Sequence, residues 1–151
     1  MKKATRVFLK HRPAASIRTV HQQRLEEALP KRCFHNASIA VKQDKNLVVI
    51  SGWLIGDYFG DNGTAIIPHY WVMNIVTREH FDPTPIVGGY TQSYDYVEDL
   101  EIFKYGSADN YIPSALNLQT NGRLRAVGSN GQYIDIERVD VKLLYKLAQL
   151  N

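Results

Sequence analysis

The chain has 151 residues, 44% of them hydrophobic and 22% charged, the composition of one ordinary globular domain with enough material for a substantial core. No apolar run approaches the roughly 20 residues that a membrane-spanning helix needs, and the basic start is not followed by the apolar stretch of a secretory signal. These features predict a soluble, cytoplasmic protein with no membrane partner. Cys33 is the single cysteine, which excludes an intrachain disulfide and leaves either an inert buried side chain or a working thiol.

The net charge of +3 conceals an asymmetry, because most of the first 32 residues' charges are Lys or Arg, opposed there only by Glu26 and Glu27. Residues 1–15 are expected to form a basic flexible arm and residues 16–151 a single domain. An acidic partner would suit the arm. Nucleic acid is not expected, since no helix-turn-helix, zinc or ribonucleoprotein motif accompanies the charges and no aromatic residues alternate with them.

A first helix is expected over residues 16–29, with Ser16 as its cap and Pro30 as its stop. The segment that follows places Cys33, Ala37, Ala40 and Val41 on one face at helical spacing, with small residues where close approach to a sheet requires them. A short helix should therefore begin at the cysteine. Three strands are expected at residues 46–55, 65–76 and 78–83, with a turn at Thr77 and Arg78 and a loop over residues 56–63.

Further along, Gly88-Gly89 marks a turn and residues 96–105 read as strand or helix. Asn121-Gly122 and Asn130-Gly131 each signal a hairpin. Residues 140–150 close the chain as an amphipathic helix through Val141, Leu144, Tyr145 and Leu147. The fold class is α+β.

Acyl transfer by a thiol needs a thiolate, a base to take and return the proton, and a third group that holds the base in place. At a helix start, the unpaired amides and the positive end of the macrodipole favour thiolate over thiol at Cys33. Strand alternation puts His69 and Trp71 on one face. The turn after that strand brings Asp82 back roughly opposite His69.

The ordered set of a helix-borne Cys33, Ser51-Gly52-Trp53, His69-Tyr70-Trp71-Val72 and Phe81-Asp82-Pro83-Thr84 resembles the core of the transglutaminase-like cysteine superfamily. The resemblance covers about residues 30–85 and is nearest to short bacterial and phage members. It implies a papain-like arrangement, in which the cysteine-bearing helix packs on an antiparallel sheet. The implied triad is Cys33, His69 and Asp82. The resemblance does not supply the substrate; the thiol chemistry suits a carboxamide or peptide carbonyl of a protein or peptide, and no cofactor is expected. The glycine and tryptophan that flank the nucleophile in larger transglutaminases are missing. The Cys33 amide is one oxyanion donor, with Gln22 or Gln23 as the side-chain candidate. Gln23 and Trp71 are the expected substrate-binding residues.

Several plainer readings stand beside these. A lone cysteine or histidine is more often structural, and a tryptophan on a strand is more often core, as expected for Trp53. No metal is expected, because Cys33 and His35 point to different sides of a helix and no paired ligand spacing occurs. The expected activity is that of an amidase, deamidase or protease if water resolves the thioester, and of a transglutaminase if an amine does. Acetyl transfer would use the same triad order, but the chain is short for it. The alternative from another class is a catalytically silent binding module of the same fold within a phage or bacterial assembly.

Overall fold

The computed structural model describes residues 1–85, 93–106 and 112–149. Among the described residues nine strands form one mixed, mostly antiparallel sheet: β1 Ser16–Arg18, β2 Val20–Gln22, β3 Leu47–Ile55, β4 Thr64–Asn74, β5 His80–Asp82, β6 Asp95–Glu98, β7 Leu116–Leu118, β8 Leu124–Val127 and β9 Tyr133–Ile136. The main order is β1-β6-β3-β4-β7-β8-β9, and β5 joins β4 to β2, its parallel partner. The described residues also form four α-helices, α1 Lys3–His11, α2 Cys33–Gln43, α3 Leu100–Tyr105 and α4 Val141–Gln149, and one 3-10 turn at Gly60–Asn62. The α+β class is as expected. Among the described residues no helix is long and apolar enough to cross a membrane.

The long β3–β4 ladder is the spine, running without interruption from Leu47 opposite Asn74 to Ile55 opposite Ile66. Alternation gives it two faces. Trp53, Ile55, Ile66, Tyr70 and Val72 belong to the large core cluster, together with Ala37 and Ala40 of α2 and Phe8 of α1. Ile50, Trp71 and Tyr96 form a second, smaller cluster. The alanines on α2 let that helix lie close against β3 and β4.

Both Asn-Gly turns occur as expected. Gly122 and Gly131 have φ of 88° and 80° at the β7–β8 and β8–β9 connections, where a residue without Cβ carries no steric penalty. The segment of residues 96–105 divides into β6 and α3, with Asp99 between them accepting the Glu101 amide as the helix cap. The Gly88-Gly89 turn and the last residue of the expected closing helix lie outside the described residues.

The N-terminal quarter departs from expectation in two ways. Residues 16–29 hold β1 and β2 rather than a helix. Residues 1–15 are not a flexible arm, because α1 buries Ala4, Thr5 and Phe8 and sets Phe8 edge-on to Trp53 at 5.8 Å. The physical reason is that α1 is tied at both ends to the β6 segment. Asp95 accepts from the Lys2 amide at 2.7 Å and from Thr5 Oγ1 at 2.6 Å. At the other end Arg12 Nε and Nη2 grip Asp99 at 2.8 and 3.0 Å. Burial opposes the charge of Asp99, yet Arg12 and the Trp53 indole, which donates at 3.0 Å, hold its carboxyl below the usual range.

Phe8→Ala should therefore lower the unfolding free energy by about 3–5 kcal/mol, the cost of emptying a packed aromatic site. Removal of residues 1–12 should be still more damaging, since it also leaves Asp99 buried without its cation. Denaturant titration of the three proteins checks both expectations, and equal midpoints would return the arm to solvent.

Candidate active site

Cys33 opens α2, preceded by Lys31 in the left-handed region at φ 60°. No side chain caps the helix start, so the amides of its first turn point toward the cysteine end. Asn36, one turn in and fully buried, holds this end in place. Its Oδ1 accepts the Leu29 amide at 2.9 Å, and its Nδ2 donates to the Leu29 carbonyl at 2.7 Å and to Thr84 Oγ1 at 3.1 Å. The last contact ties the cysteine helix directly to the Asp-Pro-Thr segment.

His69 lies in β4 opposite Gly52 of β3. On its other side β4 is paired to β7 at 64–66 and to β5 at 72–73, and His69 falls in the stretch between them. The Cys33 side chain is a hydrogen-bonding partner of the His69 ring. His69 Nε2 donates to Asp82 Oδ2 at 2.8 Å. The three expected triad residues are thus brought together, with Cys33 half-buried and the other two buried.

The register refines one detail. Phe81 lies opposite Val72, which sets Asp82 opposite Trp71, so its carboxylate meets His69 diagonally on the same face. Asp82 has two further donors. Tyr96 Oη donates to Oδ2 at 2.5 Å and the Thr84 amide to Oδ1 at 3.0 Å. Gln22 Nε2 in turn donates to Tyr96 Oη.

Trp71 stacks on His69 with an interplanar angle of 23° and its indole donates to His80 Nδ1 at 2.9 Å. Burial keeps the His80 pKa below its ordinary value, against an opposing effect of Glu98, so His80 stays neutral and able to accept. Gly52 is required here: a Cβ would lie 2.1 Å from the Val97 carbonyl oxygen and 2.6 Å from the Trp71 ring. Ser51 and Trp53, its neighbours on the opposite face, bond to Asp99 through its carbonyl and carboxylate.

Trp71 therefore does border the site, although it is fully buried beneath it. Gln23 is exposed and lines a hollow on the helix side of the sheet with Ala40, Val72 and Phe81, away from the face that carries His69 and Asp82. Gln22, its neighbour, is the glutamine whose side chain reaches the site network. Tyr96 was missed by sequence reasoning because no motif singles it out among nine tyrosines. Thr84 was visible only as the last residue of Asp-Pro-Thr.

Burial works against a charge on His69, but the Asp82 carboxylate, by its charge and its hydrogen bond, and then Cys33 push its pKa up from 6.5 to about 10. Burial likewise opposes the charge on Asp82, and His69, Tyr96 and the Thr84 amide together hold its pKa below the ordinary 3.8. The pair can therefore store a proton on the imidazole at neutral pH, beside the sulfur.

Between pH 6.5 and about 10 the folded protein retains a His69 proton that the unfolded chain has released. The associated stabilisation is complete below the lower value and is lost as pH rises toward the upper one. Asp82 contributes in the opposite sense, fully above about 3.8 and decreasingly as acid reaches its lowered pKa. The parent should lose stability from pH 7 to 10 more steeply than His69→Ala, as followed by denaturation midpoints. Parallel pH profiles in the two proteins would contradict the charged pair. In comparisons with known proteins, no family model, no curated protein and no solved structure matches this chain.

Proposed function

We propose that the protein is a cysteine-dependent acyl-transfer enzyme with a transglutaminase-like, papain-like core, acting on a carboxamide or peptide bond of a protein or peptide in the cytoplasm. The observation that carries this reading is the line from Cys33 at a helix start through His69 to Asp82. The motif order described above supports it.

With the proton already on His69, the Cys33 sulfur attacks the carbonyl carbon and the carbonyl electron pair moves onto oxygen. Amides of the first α2 turn, including that of Cys33, face the developing oxyanion. Collapse of the tetrahedral species breaks the C–N bond, and the departing amine takes the His69 proton. A thioester remains. Water then attacks it, with His69 accepting the water proton, and the acid leaves as the sulfur regains its starting state.

Hydrolysis, as in an amidase, deamidase or protease, is preferred to amine transfer, because one small domain has little material for a second substrate channel. Asp82 keeps the imidazole oriented throughout. Tyr96 and Thr84 hold Asp82, so they act through it. On the outer face of α1, Lys3, Arg6 and Lys10 are exposed and suit an acidic partner or an acidic region of the substrate.

Alkylation of Cys33 by iodoacetamide tests this reading. The parent should still react readily below neutral pH, His69→Ala should react at least about tenfold more slowly there, and Asp82→Asn should keep the native melting behaviour while losing most of the enhancement. The two substitutions act on one unit, so the double variant should be little worse than either. A rate that follows an ordinary thiol titration in all four proteins would defeat the enzyme and favour a silent binding module.

A further inference from the structure

We infer that the hollow two residues along β4 from His69 receives an apolar side chain of the substrate, about two residues from the bond that Cys33 attacks. This rests on the acyl-transfer reading and names the substrate class for that same site.

Strand alternation carries the face of His69 along β4 to Ile67 and Ala65. Leu54 stands opposite Ile67 in β3. Gly56, Phe59 and Tyr94 are among the residues that, with Ile67 and Ala65, line a hollow of about 230 Å³. Two residues of strand span roughly 6.6 Å, so the near wall of the hollow at Ile67 stands about two extended residues along the strand from His69. Its volume lies below the roughly 300–1,000 Å³ of sites that enclose whole small molecules. A single side chain fits that space.

The lining decides the chemistry of the occupant. Phe59 is 76% and Ile67 39% exposed, an apolar pair that a bound aliphatic or aromatic group would remove from water. The charged group on the rim, Asp57, is paired with Lys2 Nζ at 2.9 Å, so the rim offers little uncompensated charge. A charged side chain of either sign therefore gains no free partner there. The apolar occupant is favoured by both features.

Thiol reagents of graded shape test the inference in the full chain. N-phenethyl iodoacetamide, N-(2-carboxyethyl) iodoacetamide and plain iodoacetamide all transfer their methylene carbon to the Cys33 sulfur with departure of iodide. They differ in what they present to the hollow. In the parent the phenethyl reagent should react at least about tenfold faster than the carboxyethyl one, a difference of about 1.4 kcal/mol. Phe59→Ser and Ile67→Thr should each reduce that ratio toward one, the rate with plain iodoacetamide serving to normalise each protein.

Equal rates for the two substituted reagents in the parent, or a ratio that survives in both folded variants, would overturn the subsite. Both positions are exposed, so melting curves should match the parent; if a variant unfolds, the ratio in the parent decides alone. Failure of the acyl-transfer reading has a different signature, a plain iodoacetamide rate that does not depend on His69.

Discussion

A carboxylate enclosed by protein must find donors for its charge, because unpaired burial costs several kcal/mol. Asp82 meets that demand with His69 Nε2 and Tyr96 Oη on one oxygen and the Thr84 amide on the other. Each donor brings a different part of the chain with it. Tyr96 brings β6 and, through Gln22, β2. Thr84 brings the start of α2, through Asn36. The place of Cys33 beside His69 is thus a consequence of how one buried carboxylate is satisfied.

The β3–β4 spine separates stability from chemistry by alternation. Trp53 and Trp71 illustrate the division, standing on opposite faces of the sheet. Trp53 fills the main core and donates to Asp99, the anchor of α1 through Arg12. Trp71 stacks on His69 and is itself aligned by a neutral His80. Gly52 serves the second face by letting the Trp71 ring cross the strand. A substitution on the first face is expected to act on folding, and one on the second to act on the proton held at His69.

What could be read from the sequence was local. The α2 start, the β3 to β5 segments and the Asn-Gly hairpins rest on periodicity and turn chemistry within a few residues, and they are found where expected. The register of β5 differs by two residues because Phe81, rather than a nearer partner of His69, pairs with Val72. The first 22 residues were misread for a different reason. β1 and β2 are three residues each, with partners far away in sequence at Tyr96–Glu98 and His80–Asp82. α1 hides its small apolar face of Ala4, Thr5 and Phe8 among cations, and its anchors Asp95 and Asp99 are equally distant. Gln22 and Gln23 could not be told apart because a shift of one residue on a strand exchanges its faces.

If Asp82 keeps His69 protonated beside Cys33, histidine ring-nitrogen NMR on ¹⁵N-labelled protein will show it directly as pH is varied. Both His69 ring nitrogens should carry protons at pH 7, and this should persist toward pH 10, with Asp82→Asn releasing the second proton at markedly lower pH. A His69 ring already neutral at pH 7 in the parent, or a titration unchanged by Asp82→Asn, would contradict it.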